Sequence, residues 1–387
     1  MKKTFNIAGP CHPAEHYMLS AQERCEGLLE LIEKKHYFVI HAGRQSGKTT
    51  LLLELTQRLN EQGDYYALYC SLESVQGITE SEKGIPAILR VMKTQCKFHQ
   101  HLSKYPFADQ VNEADFNTVL REALTYFCQS LDKPLVIFFD EVDCLSNGTM
   151  ISFLRQLRDG YVNRYDIPFV QSVALVGMRN IRDYKGKIRE ERETLGSASP
   201  FNIVSENLTL RNFNQEEIKR LYAQHTEQTG QLFPPQFIDT VYDNTQGQPW
   251  LVNAIANEIV VKMLNNEFSH LIQLEQIDKA IQTIIKRRDT HIDSLMERLT
   301  EARVQRILEP VILGESNGYS VLDDDYQYVL DLGLLREVSG HILPANSIYA
   351  DVIIRTLNSQ SQMAMKDKGF PLEAPAYIKE NLSLIHI

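Results

Sequence analysis

Hydrophobic and polar positions in the first half of the chain switch repeatedly between two periods. Apolar Cys25, Leu28, Leu29 and Ile32 recur at helical spacing and predict an amphipathic helix over residues 22–35. The run Tyr37-Phe38-Val39-Ile40-His41 is short, apolar and rich in β-formers, which predicts a buried strand. A Gly-containing loop follows, and from Thr49 the segment Thr50-Leu51-Leu52-Leu53-Glu54-Leu55 reads as helix. Further strands are expected at 65–70, 135–139 and 172–177, with a fifth at Leu208-Thr209-Leu210. Helical periods cover 85–104, 114–131 and about 149–164. Strands alternating with helices specify an α/β fold, a parallel sheet with helices on both faces.

After residue 213 only helical periods remain, at 215–229, 235–245, 249–268 and 274–287. From about 294 to 357 two helices flank Tyr319. The sequences Leu334-Leu335-Arg336-Glu337-Val338 and His341-Ile342-Leu343-Pro344 sit either side of Ser339-Gly340 and predict a hairpin. That order of helices and hairpin is the winged-helix arrangement. The expected domains are therefore 1–213, a P-loop NTPase domain with an N-terminal linker; 214–290, a helical lid; and 291–358, a winged helix.

Composition adjusts this picture only slightly. The 387 residues are 43% hydrophobic and 23% charged, as expected of a globular chain with more than one core. A net charge of −10 argues against a surface coated for nucleic acid, while leaving room for a local basic face. Six cysteines without a CxxC pair read as reduced thiols, no stretch reaches membrane-spanning length, and no apolar segment follows the basic start. A cytoplasmic protein that does not enter the membrane is the expectation.

The chemistry concentrates in one loop. Ala42-Gly43-Arg44-Gln45-Ser46-Gly47-Lys48-Thr49, between a strand and a helix, is the Walker A pattern in its confirming context. Its backbone N–H groups and the helix N-terminus cradle phosphate, and the cradle extends to Thr50. Lys48 can reach the β- and γ-phosphates, Thr49 can take a Mg²⁺ coordination position, and Gly47 lets the backbone close. Ala42 stands where the strict motif has glycine. The strand Leu135–Phe139 ends in Asp140-Glu141, a Walker B, with Asp140 as metal ligand and Glu141 polarising the attacking water. Asp143 reads as a cap or outer-shell group. Arg179 or Asn180, ending the fourth strand, reads either as a γ-phosphate sensor or as the partner of a surface carboxylate. The charged run after it, Arg182 to Glu193, is mostly a solvated segment, an arginine finger being the alternative. ATP or ADP with Mg²⁺ is the cofactor set implied.

These residues resemble the bacterial AAA-like ATPases related to the STAND class. The resemblance is carried by Phe5-Asn6-Ile7-Ala8-Gly9-Pro10, by His16-Tyr17-Met18-Leu19, and by the GxP-like Thr245-Gln246-Gly247-Gln248-Pro249-Trp250-Leu251-Val252. Asp331-Leu332-Gly333-Leu334-Leu335-Arg336 and Pro344-Ala345-Asn346-Ser347-Ile348-Tyr349 extend it, so that it covers about 5–357; Ser20 replaces an expected proline. It implies that Pro249 packs near adenine or ribose, a role compatible with a plain helix N1 proline. It also implies that His16, Tyr17 and Met18 touch the base, a staple onto the first helix being the alternative. Leu382–Ile387 matches the translation of a transposase adapter used in sequencing libraries and reads as a scar. Residues 359–381 then read as a linker to a further C-terminal region. Pro375-Ala376-Tyr377-Ile378 resembles the junction to a nuclease-like domain in some relatives, although no nuclease residues are present.

Three functions follow. The first is a nucleotide-dependent regulatory switch with slow Mg-dependent ATP hydrolysis. Its partner would be a protein, met through the winged helix or a C-terminal effector, and self-association is open. The second is a DNA-binding ATPase resembling origin-recognition proteins, using Lys286, Arg287, Arg288, Arg298, Arg303 and Arg306 on phosphates. Asp323-Asp324-Asp325 counts against that use. The third is an ADP-locked scaffold that does not turn over.

Overall fold

The structure is a computed structural model that describes residues 2–109, 111–112, 114–178, 203–314 and 323–367. Five strands, β1 (Tyr37–His41), β2 (Tyr66–Ser71), β3 (Leu135–Asp140), β4 (Ser172–Gly177) and β5 (Val204–Thr209), form one sheet in the order β2-β3-β4-β1-β5. Every neighbouring pair is parallel. The α/β fold and the parallel sheet expected from the alternating periods are both present. β5 begins at Val204, earlier than expected, because Val204 and Glu206–Thr209 pair with β1 across a bulge at Tyr37/Phe38.

The pleat sends alternate residues to opposite faces, and each face has its own core. Tyr37, Val39, Ile137 and Phe139 pack with α3 (Ser81–Phe98), α4 (Val119–Ser130) and α5 (Asn147–Asn163). Phe38, Ile40, Val136 and Phe138 pack with α1 (Leu28–Glu33) and α2 (Lys48–Gln62). The predicted helix over 22–35 is in fact two pieces, a 3-10 turn at Ala21–Arg24 and the short α1. Gly27, at φ +80°, breaks it, although its apolar residues still face one core as the period suggested.

Beyond residue 213 lie α6 (Gln215–Thr229), α7 (Phe237–Thr245), α8 (Pro249–Asn257) and α9 (Glu275–Arg287). The long helix expected over 249–268 ends its α-helical part at Asn257 and continues as a π-helical stretch, Glu258–Met263. Then come α10 (Thr290–Arg298), α11 (Ala302–Ile312), α12 (Asp324–Asp331), the hairpin β6 (Leu335–Val338) and β7 (His341–Pro344), and α13 (Ser347–Asp367). Ser339 at φ +52° and Gly340 at φ +79° turn the hairpin, as the Ser-Gly pair predicted. One continuous hydrophobic core joins all these helices, running from Phe213 to Ile353 and including Phe5 and Tyr17 from the N-terminal segment. Among the described residues, no helix is long and apolar enough to cross a membrane. α13 runs on to Asp367, into the span read as a linker. The adapter-like end and the Pro375–Ile378 motif lie outside the described residues.

Candidate functional site

Parallel pairing brings the ends of β1, β3 and β4 to one edge of the sheet, with His41 opposite Gly177 and Asp140 ending β3. The loop from Ala42 leaves β1 here and enters α2 at Lys48. Gly47 has φ +95°, a conformation that demands glycine, and a Cβ on it would also stand 2.8 Å from Arg24 Nη2. Gln45 also sits in the left-handed region, at φ +54°. The Lys48 ammonium donates to the carbonyls of Ala42 and Gly43 at 2.9 and 3.0 Å, holding its charge at the mouth of the loop. Burial lowers its pKa, and the carboxylates of Glu141, Asp143 and Asp140 oppose that shift.

Asp140 is buried, and its Oδ2 accepts from Thr49 Oγ1 at 2.7 Å and from Tyr69 OH at 3.1 Å. The two residues assigned to a metal are thus in direct contact. Glu141, at φ +54°, turns out of the strand line, and burial together with the adjoining Asp140 raises its carboxyl pKa. Asp143 ties β3 to β4: its Oδ2 accepts from Met178 N at 2.6 Å. Thr50 Oγ1 accepts from Cys11 N at 3.1 Å and so fastens the N-terminal segment to α2.

These groups line a cleft of about 460 Å³. Gln45, Gly47, Lys48, Thr49, Thr50 and Glu141 form one wall, and Pro249, Trp250 and Asn253 of α8 another. The Asn6–Cys11 loop closes it, and Arg298 of α10 reaches it from the C-terminal helices. The loop suits a phosphate chain: a backbone coiled through two left-handed residues, a cation at its mouth, and buried Ser46 Oγ and Gln45 Oε1 without partners. Among the described residues, no group of three or more His, Cys, Asp or Glu side chains could hold a metal. Thr49 and Asp140, in contact with each other, would share Mg²⁺ with phosphate and water, the usual arrangement for that ion.

A sequence profile described as "AAA-like domain" matches residues 15–353. The chain belongs to the AAA-like domain family. No curated protein matches it. Among solved structures it is similar to a Walker-type ATPase of Pyrococcus abyssi, with TM-score 0.59 and 14% identity over 90% of this chain and 99% of that one. The Holliday junction branch migration motor RuvB of Thermotoga maritima gives TM-score 0.40 and 12% identity, covering 89% and 92%. The Orc1 protein of Aeropyrum pernix, in complex with DNA, gives 0.40 and 13%, covering 87% and 91%. The AAA-like fold here is that of P-loop ATPases, which in general bind nucleotide with Mg²⁺.

Within this AAA-like chain the sequence-assigned residues separate into three groups. Ala42 to Thr50, Asp140, Glu141 and Pro249 converge on one place, Ala42 lying buried at the root of the loop beside Lys48. Arg179, Asn180 and the charged run after them lie outside the described residues. His16, Tyr17 and Met18 do not line the cleft. Tyr17 packs on Phe5 and His225, and Met18 exchanges hydrogen bonds with Gln224, so this segment docks on α6 and not on the first helix.

Four contributors went unread or were read otherwise. Arg24, 5% exposed, donates to the carbonyls of Ser46 and Arg211 at 2.9 Å and lies over the Phe213 ring. Burial lowers its pKa to about 10, which leaves it cationic under the loop at neutral pH. Gln248, the middle residue of the GxP turn, caps α8 at Leu251 N and donates to the carbonyls of Arg44 and Gln45 at 3.2 and 3.4 Å. Asn253 stands one turn further along α8, and Arg298, assigned to DNA phosphates, faces the cleft and pairs with Glu301 at 2.8 Å. Only the GxP turn gave a signal, by naming the neighbours of Gln248.

Proposed function

We propose that this chain is an ATP-binding switch of the AAA type, in which binding and slow hydrolysis change how the helices beyond residue 213 rest on the phosphate loop. The observation that supports it is contact with the backbone of that loop from two sides. Gln248 holds the Arg44 and Gln45 carbonyls, and a Cβ on Gly43 would stand 3.1 Å from the Leu332 carbonyl oxygen. A γ-phosphate can shift such contacts only if it interacts differently with their two arrangements, and contacts on the loop's own backbone give it that leverage. In this reading residues 214–290 are the lid and 291–358 a winged helix that meets a protein partner. On the same reading the chain works in the cytoplasm.

Lys48 and the loop amides would hold the phosphates, Thr49 and Asp140 the Mg²⁺, and Glu141 would accept the proton of the attacking water. Mg²⁺ supplies positive charge against the developing phosphate charge. Pro249 would border the base or ribose, and Arg179 is retained as a γ-phosphate sensor on its sequence position alone. A DNA-binding role is less well supported, because most of its six cations are engaged: Arg287 with Asp289 and Glu258, Arg288 with Asp293, and Arg303 and Arg306 with Asp325.

The test is ATP binding and turnover, with hydrogen exchange of α8 and α10–α12. Lys48→Ala is expected to weaken ATP binding more than about tenfold. Glu141→Gln should keep binding and slow turnover roughly 100-fold. Gln248→Ala should bind ATP while losing the ATP-dependent change in exchange. Co-purified ADP with no turnover would establish the scaffold reading instead, and turnover stimulated by duplex DNA in low salt would establish the DNA one.

A further inference from the structure

The cleft carries more than a phosphate cradle. Where α8 faces the Asn6–Cys11 loop it is lined by Ile7, Pro10, Pro249 and Trp250, flat or apolar groups suited to the faces of a ring. Asn253 lies among them, 7% exposed. Its Nδ2 donates to the Pro249 carbonyl at 2.8 Å, while its Oδ1 has no partner. A buried carboxamide oxygen without a donor costs stability, and native structures seldom keep one unless a ligand or water completes it. The bond to Pro249 also fixes the amide, so that what it leaves for a ligand is an acceptor.

Two neighbouring side-chain donors are engaged within the protein. Trp250 Nε1 donates to the Ile7 carbonyl at 2.9 Å, and Asn6 Nδ2 to the Gly9 carbonyl at 3.0 Å. A purine with a 6-amino group brings the donor that Asn253 lacks. A purine with a 6-oxo group brings an acceptor to the place where Asn253 Oδ1 already presents one, so two acceptors meet there.

We infer that Asn253 is the specificity-determining residue of the cleft: its Oδ1 accepts a hydrogen bond from the exocyclic 6-amino group of adenine, and so selects ATP over GTP. This rests on the nucleotide reading of the cleft and adds to it the residue that selects the base. Rejection follows the usual asymmetry, in which a buried polar group left unpaired by the wrong ligand costs more than the right one gains.

Calorimetric titration of the intact chain with ATP, GTP and the triphosphate of purine riboside, which lacks the 6-amino group, tests it. Wild-type protein should bind ATP about tenfold or more tightly than either analogue. Asn253→Ser should bring ATP and the purine riboside triphosphate within about twofold of each other, while Lys48→Ala weakens all three alike. Equal binding of the three by wild type overturns the assignment, and so does an undiminished preference in Asn253→Ser. Should that variant melt early, the analogue series on wild type decides alone. If wild type binds none of the three, the nucleotide reading itself fails; if it binds all three equally, only the role of Asn253 does.

Discussion

The sheet and the helices beyond it solve the same problem in opposite ways. The sheet keeps two cores, one on each face, and β1 and β3 serve both because their side chains alternate. The helices share one core, in which α8 packs with elements as distant in sequence as Phe5 and Ile353. A parallel sheet is a rigid frame that fixes where loops end, which suits a phosphate cradle. A single core spread over eight helices and a hairpin ties those elements to one another, and Gln248 and Leu332 carry it onto the phosphate loop. The difference teaches where a signal could cross: at Gln248 on the Arg44 and Gln45 carbonyls, at Arg24 over the Phe213 ring, and at Gly43 against Gly333.

The largest effect should come at the junction itself. Gly247 has φ +69°, and a Cβ there would lie 1.8 Å from the Phe213 carbonyl oxygen, in the turn where Phe213 N also donates to Gly247 O at 2.9 Å. Gly247→Ala is expected to cost about 2–4 kcal/mol, read as a lower Tm, because neither backbone can yield cheaply. If the two bodies communicate here, the loss will be accompanied by faster hydrogen exchange in both the α8 turn and the phosphate loop that Gln248 holds. Exchange confined to one side would show the junction to be a passive hinge.

That glycine was legible, as part of a GxP turn, although its reason was not. The phosphate loop and Asp140-Glu141 were legible because the chemistry needs those residues side by side on the chain, after a strand whose period announces itself. Arg24, Gln248, Asn253 and Arg298 were not, for each belongs to a different element and acquires meaning only when the fold brings it to the loop. Arg24 sits beside the break at Gly27, where helical spacing of the apolar residues continues although the helix does not. Arg298 is grouped in sequence with Arg303 and Arg306 as a cation for DNA phosphates, whereas α10 turns it toward the cleft. The hairpin was found from two residues, since Ser339-Gly340 needs positive φ at both, a local demand that sequence can display.

The second effect concerns pH. His291 stacks on Trp250 with ring centroids 4.8 Å apart and bonds the Tyr349 hydroxyl at 2.6 Å; burial, helped by the Arg44 charge, lowers its pKa to about 3. In the unfolded chain the histidine takes up a proton near pH 6.5, whereas the buried ring stays neutral down to about pH 3. Its contribution to stability is therefore complete above that value and is lost as pH falls from there toward 3. From pH 6.5 to 5 the loss is about 1.6 kcal/mol, the slope rising toward roughly 1.4 kcal/mol per unit as the unfolded histidine becomes fully protonated. His225 and His99, also lowered by burial, add to the acid sensitivity. Denaturant unfolding of His291→Phe across that range should show a shallower acid slope than wild type, and an unchanged slope would remove this contact from the account.

The smallest effect tests whether the charged surface of the helical body does anything for its stability. Arg306 forms ion pairs with Asp323 at 2.7 Å and with Asp325 at 2.9 Å, and its side chain is half exposed. Asp323 also caps α12, accepting from Asp325 N and Tyr326 N at 2.9 and 3.2 Å. The two roles separate in a pair of variants. Arg306→Ala removes an exposed pair and should cost less than about 1 kcal/mol, a difference that shrinks in high salt. Asp323→Ala also removes the cap and should cost about 1 kcal/mol more, independent of salt. Since Arg306 is one of the cations a DNA-binding role would require, the same variant measures whether freeing Asp323 and Asp325 alters affinity for duplex DNA. No change in affinity together with a small salt-dependent loss of stability would place this charge wholly within the fold, and leave the junction and the cleft as the places where the two bodies meet.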